Sequence, residues 1–255
     1  MPCFELHHRY GYLICGFTHK VLDFLVDDPE KALVYIRDEQ IHRLTAKCLK
    51  HHDAFYSTEW ISRILGEKPE CKGIQLKILE HIYSIYGEKG VCYLVLHTLL
   101  DRLNTNIPKV LNRLVKQMIK SGKIVEPDTL AEQILKETLR ETVFDINNVM
   151  TFIGPQSDDF LAHYFLGVTR YEIKPDILTA IDKAFNGFSN YFKEIYCVLI
   201  HTLTRASRWI ELTASLHTKE LGKEYMINLL EILALKTCSD KQRKTLEEIR
   251  KYVRK

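Results

Sequence analysis

The stretch VLHTLLDR, residues 95–102, carries aliphatic side chains at three- and four-residue intervals around a single histidine. That spacing places the aliphatic side chains on one side of an α-helix. A near copy, LIHTLTR, occupies residues 199–205, and the same periodicity runs through nearly every other segment. Alternating apolar and polar runs bounded by turn residues, which would indicate β-strands, are scarce. The sequence therefore predicts an all-α chain.

Turn and capping residues divide this pattern into about twelve predicted helices. Proline follows an acidic residue at two predicted helix starts, Asp28-Pro29 and Glu126-Pro127, which is typical of a first helical turn. Glycines at which helices would end are Gly66, Gly87, Gly122 and Gly154,. The predicted helices cover 6–25, 29–50, 57–65, 70–86, 88–104, 107–121, 127–150, 158–171, 175–187, 189–215, 219–236 and 240–253. Because the connections are short, successive helices are expected to pack antiparallel.

The two similar stretches extend into two similar pairs of helices. Residues 79–84 align with 181–186, and 96–99 align with 200–203. A helical hairpin cannot bury its apolar face alone, so duplicated hairpins at 73–104 and 176–208 indicate stacked units with a shared core. At the level of architecture the chain resembles the armadillo/HEAT class of helical repeats, which implies an irregular α-solenoid. The alternative is a compact multi-helix bundle, and in either case residues 1–255 are predicted to form a single domain.

Composition excludes several classes of protein. The 255 residues are 46% hydrophobic, which is enough for a sizeable core and excludes a disordered chain,. The longest nearly apolar run, 91–100, is interrupted by His97 and is about half a membrane span,. Seven cysteines without CxxC spacing are interpreted as small core residues in a reducing compartment, with no disulfide framework,. We therefore expect an intracellular protein, cytoplasmic or nuclear, with no membrane partner.

Two histidines are predicted to lie on narrow polar ridges of otherwise apolar helices. On a helical wheel His97 lies with Asp101, and His201 lies with two arginines,. In a solenoid such ridges line the concave surface, where they would hold a protein or peptide partner beside an aromatic anchor. The alternative is that each histidine contacts a neighbouring acceptor at the edge of the core. The candidate partner-binding residues are His97, Asp101, His201, Arg205, Arg208 and Trp209.

A basic stripe follows one face of the predicted helix 107–121. It consists of Lys109, Arg113, Lys116, Lys120 and Lys123, and no acidic residue lies between positions 105 and 125. Together with the basic C-terminal helix 240–255, the stripe is a candidate surface for nucleic acid or for an acidic partner. The alternative is a solvated face that the acidic segment 126–145 partly neutralises.

The sequence contains no motif that by itself identifies a catalytic or metal-binding site. The spacing of Arg37 and His42 resembles the Arg-x(4–6)-His motif of HEPN ribonucleases, which implies RNA cleavage in a dimer cleft. On a regular helix, however, the two side chains point about 140° apart. Cys48 and His52 lie one turn apart, and the pair His7-His8 is available, but neither HExxH nor paired CxxC occurs,.

We therefore predict no metal, no cofactor and no catalytic residue. The leading prediction is a non-catalytic protein-interaction scaffold. A nucleic-acid-binding helical protein is the second prediction and a HEPN-type ribonuclease is the third.

Overall fold

A computed structural model describes residues 4–27, 74–143, 173–205 and 223–239, and every regular element within them is helical. The α-helices are α1 (Phe4–Tyr10), α2 (Lys20–Asp27), α3 (Ile74–Ser121), α4 (Pro127–Val143), α5 (Pro175–Arg205) and α6 (Lys223–Thr237), and a π-helix (Gly11–Cys15) continues α1. The all-α prediction is thereby confirmed. The count of about twelve helices and the solenoid arrangement stay predictions. None of the described helices is long and apolar enough to cross a membrane.

Glycines with a left-handed backbone divide or end three of these segments. Gly16 has φ 65° and ends the π-helix, so the helix predicted over 6–25 is two shorter segments. Gly87 has φ 63° and interrupts α3, and Gly122 has φ 65° directly after its last residue. The predicted helix ends at Gly87 and Gly122 are confirmed.

Two other predicted boundaries are wrong. Helix α3 continues through Pro108 without a break at 104–107. Ile107, Val110 and Leu111 are all buried there, so the apolar face is continuous across the proline and packing outweighs the hydrogen bond that proline removes,. Helix α5 likewise continues through Gly187, whose missing Cβ would otherwise overlap the side chain of Ile14.

This continuity bears on the predicted repeat. Residues 175–205 form one helix without a turn, whereas the aligned stretch in α3 is interrupted at Gly87. The duplication of hairpins at 73–104 and 176–208 stays a prediction, since residues 73 and 206–208 lie outside the described part of the chain. The resemblance to helical-repeat proteins at the level of the whole chain stays a prediction.

The described residues fall into two compact units, and the single-domain organisation of the whole chain stays a prediction. The first unit contains 4–27, 74–100 and 173–188. Its core includes Leu6 and Tyr10 of α1, and Leu79 and Ile82 of α3. At its edge the Tyr83 hydroxyl donates a hydrogen bond of 2.7 Å to Asp176, which ties the first arm of α3 to the start of α5.

The second unit contains 101–143, 189–205 and 223–239. Helices α4 and α6 pack against each other, and Lys236 of α6 lies 3.0 Å from Asp128 and 2.9 Å from Glu132 of α4. The Tyr225 hydroxyl donates to the carbonyl oxygen of Val125 at 2.5 Å and so holds the segment between α3 and α4.

Four cysteines form two disulfide bonds, contrary to the prediction from the sequence. Cys15 bonds to Cys92 within the first unit, and Cys197 bonds to Cys238 within the second. The partners are separated by 77 and 41 residues, so no local spacing such as CxxC marks them. The prediction that no disulfide framework exists is wrong.

Candidate metal centre

The site is built around Asp23, a completely buried carboxylate on α2. A carboxylate removed from water is stable only when donors or cations surround it. The hydroxyl of Tyr93 donates to its Oδ1 at 2.5 Å, and Nε2 of His8 lies 3.1 Å from its Oδ2. Asp23 therefore holds α1, α2 and α3 together through their side chains.

His97 lies on α3 one turn after Tyr93, and its imidazole is completely buried. Its Nε2 is 3.4 Å from Oδ1 of Asp23, and the ring of Tyr93 meets it edge-on at 6.3 Å between centroids. Three side chains from two helices thus approach the same carboxylate.

His7, on α1, adds a second buried imidazole. Its ring centroid is 3.7 Å from that of His97, and the two ring planes are tilted by 37°. A neutral imidazole presents one nitrogen lone pair, which is the commonest metal ligand in proteins. The packing of α1 on α3 therefore brings two ligand-bearing rings together.

Asp101 is the next carboxylate along α3. It follows His97 by one turn of the continuous helix α3, so its position relative to His97 is set by the helix itself,. Within the first unit, a ring nitrogen of His7 and one of His97 lie within 4.8 Å of each other. Ligand atoms that share an ion at about 2.0–2.1 Å lie roughly 3–4 Å apart, so small side-chain rotations would close the set.

The donor types select a class of ion. Imidazole nitrogens suit zinc, iron and other first-row transition metals, whereas calcium and magnesium prefer oxygen ligands. A metal-binding histidine commonly gives its other ring nitrogen to a carboxylate, which fixes the ring orientation. Asp23 occupies that place beside His97, and Tyr93 and His8 hold Asp23.

The structure places the predicted partner-binding residues differently from the expected ridge. His97 is completely buried, so it cannot touch a partner protein directly, and Asp101 is half-buried beside it. The contact of His97 with Asp23 fits the alternative interpretation for this one histidine, and partner binding stays a prediction. The side chains of His201 and Arg205, and the whole of Arg208 and Trp209, lie outside the described residues.

Acidic residues of α4 neutralise the first part of the basic stripe. Arg113 bonds to Glu141 and lies 3.2 Å from Glu137, and Lys109 lies 3.7 Å from Glu141. The remaining members, which are exposed, are Lys116, Lys120 and Lys123. The stripe predicted from sequence is thus partly an internal ion-pair network.

Other predicted candidates cannot be placed. Arg37, His42, Cys48 and His52 lie outside the described residues, as does the basic C-terminal segment 240–255.

Sequence reasoning missed Asp23 because its partners are distant along the chain. Tyr93 is 70 residues away and His8 is 15 away, so no motif spacing joins them. The available signal was an aspartate inside the apolar run of residues 21–26, together with His97 inside the aliphatic stretch that opens the repeat. An ionisable residue on an apolar helix face indicates a buried partner, although it does not identify that partner.

Comparisons of the chain with protein-family models, with curated proteins and with solved structures find no match.

Proposed function

We propose that this protein binds a divalent first-row transition-metal ion through His7 and His97. The observation that supports the proposal is the approach of a ring nitrogen of each histidine to within 4.8 Å of the other. Both imidazoles are buried, so the ion would bind where water competes weakly,. The expectations of no metal and no cofactor give way to this proposal.

A bound ion would also stabilise the folded state. Helix α1 has 7 residues, which is too short for a helix to be stable alone in water,. A metal that joins α1 to α3 would add its binding free energy to the stability of the first unit. We therefore propose that metal binding and the docking of α1 are coupled.

The proposal is tested by adding Zn²⁺, and separately Co²⁺, to the full chain after all metal has been removed. We expect about one ion to bind per chain and the folded state to gain about 2.7 kcal/mol when free metal is 100 times the dissociation constant. Elemental analysis after desalting measures the stoichiometry, and thermal unfolding measures the gain. A chain that retains no metal and shows no gain overturns the proposal.

Near-isosteric variants locate the site. His7→Gln and His97→Gln should each weaken metal affinity by about tenfold or more, because each removes a ligand. His19→Gln is the matched control, since His19 is in the same unit but its ring stacks on Phe17 at 6.0 Å between centroids. Unchanged affinity in both ligand variants would place the ion elsewhere and reject this ligand set.

The scaffold, nucleic-acid and ribonuclease functions stay predictions from the sequence, as does the absence of catalysis.

A further inference from the structure

We infer that the Cys15–Cys92 disulfide controls the metal affinity of this site, so that the site is sensitive to redox conditions. The inference rests on the proposed metal binding and concerns its regulation.

The disulfide joins the two segments that supply the histidines. Cys15 ends the π-helix that continues α1, and Cys92 directly precedes Tyr93 on α3. The crosslink closes a loop with a sequence separation of 77, and both cysteines are completely buried. It is therefore the covalent connection between the segment that carries His7 and the helix that carries His97.

The same two segments also pack closely. A Cβ at Gly11 of the π-helix would overlap the ring of Tyr93, so the absence of a side chain there permits the approach,. Packing and the disulfide thus act at the same contact. With the disulfide intact, His7 is held near His97 before any ion arrives.

After reduction of the disulfide, packing alone would hold His7 near His97. The chain between the cysteines would regain freedom, and ion binding would have to restore the order that the crosslink had supplied. We expect the reduced protein to bind Zn²⁺ about tenfold or more weakly than the disulfide form. The reaction is an exchange with a small dithiol: the Cys15–Cys92 bond breaks, two protein thiols form, and the dithiol loses two hydrogens and closes to a cyclic disulfide.

Coupling of this kind is reciprocal. If the disulfide raises metal affinity by a given factor, bound metal must shift the thiol–disulfide equilibrium toward the disulfide by the same factor. At a fixed ratio of reduced to oxidised dithiol, saturating Zn²⁺ should therefore lower the reduced fraction of this pair correspondingly.

The test compares Zn²⁺ affinity in the oxidised full chain, in Cys15→Ala/Cys92→Ala, and in Cys197→Ala/Cys238→Ala. The last variant is the matched control, because it removes a disulfide from the other unit. We expect the first double variant to bind about tenfold or more weakly and the control to bind within about twofold of the wild type. Equal affinity in the wild type and the first variant overturns the inference and leaves metal binding intact.

A second measurement covers the case in which Cys15→Ala/Cys92→Ala does not fold. In the Cys197→Ala/Cys238→Ala background, thiol labelling and peptide mapping follow reduction of Cys15–Cys92 by a dithiol, with and without Zn²⁺. The concentration of metal-free dithiol is kept equal in the two conditions, because small dithiols chelate Zn²⁺. Zn²⁺ should lower the reduced fraction, and an identical fraction in both conditions contradicts the inference. If the oxidised wild type binds no Zn²⁺ at all, the proposed function fails first and the regulation fails with it.

Discussion

At the scale of single residues, Asp23 shows how a buried charge organises a site. An isolated carboxylate in an apolar interior costs several kcal/mol, and hydrogen bonds to charged groups recover about 1.5–3 kcal/mol each. Tyr93, His8 and His97 all approach it, from 2.5 to 3.4 Å. Because these partners come from two helices, loss of either helix would remove part of the compensation for the buried charge. The polar cluster therefore couples α1, α2 and α3.

Tyr196 provides a prediction about pH. Burial raises the pKa of its phenol above the ordinary value of 10.0. The folded chain thus favours the neutral hydroxyl, and the unfolded chain ionises at lower pH. Stability from this group is fully present below pH 10 and falls as pH rises toward the folded-state pKa, by up to about 1.4 kcal/mol per pH unit.

Tyr196→Phe should remove this contribution. The unfolding free energies of wild type and variant should run parallel below pH 10 and converge or cross above it, as urea unfolding at a series of pH values would show. Phe192→Leu is the control, since the Phe192 ring lies 5.6 Å from that of Tyr196 and carries no titrating group. Its stability loss should be the same at every pH. A constant difference for Tyr196→Phe as well would contradict the burial argument.

The candidate site was only partly predictable at this scale. The sequence singled out His97 and Asp101 as neighbours on one helix face, and the structure places them there. It could not show that His97 faces Asp23 and His7, because contacts between distant segments depend on tertiary packing rather than on helical periodicity. The exposed ridge was expected because a helical wheel identifies which residues share a face, but not whether that face meets solvent.

At the scale of helices, glycine has two roles that the sequence does not separate. Gly87 and Gly122 adopt φ 63° and 65°, and both were predicted as helix ends. Gly187 lies inside α5, where its missing side chain makes room for Ile14. A glycine that interrupts a helix and one that permits close packing look alike in one sequence, so the boundary expected near Gly187 was wrong.

Gly187→Ala tests the packing role. In an ordinary helix interior this change would gain up to about 1 kcal/mol. Here the new Cβ would overlap the Ile14 side chain, so we expect a net loss of about 1–3 kcal/mol of unfolding free energy,. Asn186→Ala, at an exposed neighbouring position of α5, is the control and should cost little or be slightly stabilising,.

A double-mutant cycle separates the overlap from other effects. Ile14→Ala alone should cost about 2–5 kcal/mol because it leaves a cavity. Combined with Gly187→Ala it should cost less than the sum of the two single changes, because the added methyl enters the space that Ile14 vacated. If the two changes in unfolding free energy are strictly additive, the absence of a side chain at Gly187 is not required by contact with Ile14.

At the scale of the whole molecule, the disulfides bear on the cellular compartment in which the protein folds. The intracellular prediction rested partly on cysteines acting as reduced core residues, whereas two pairs are bonded within the described residues. Disulfides persist mainly in oxidising compartments, so that support for an intracellular location is lost and the location stays a prediction. The all-α class was predictable because helical periodicity recurs along the chain. The disulfide pairing was not, because it depends on which helices pack together.

The basic stripe is only partly available to bind nucleic acid. Because Lys109 and Arg113 already pair with Glu137 and Glu141 of α4, exposed Lys116, Lys120 and Lys123 remain to contact phosphates. Each phosphate contact contributes about 0.9 to the slope of log affinity against log salt concentration, so these three lysines of the stripe account for at most about 3 of the slope.

We therefore expect that neutralising Lys116, Lys120 and Lys123 together to glutamine lowers the slope for duplex DNA by up to about 3. Arg113→Gln should leave the slope unchanged, because its guanidinium is already engaged by two carboxylates. Fluorescence anisotropy across a salt series measures the affinity and the slope in the full chain and in both variants. An equal loss of binding in Arg113→Gln and the lysine variant would mean that the α4 carboxylates release Arg113 when nucleic acid binds.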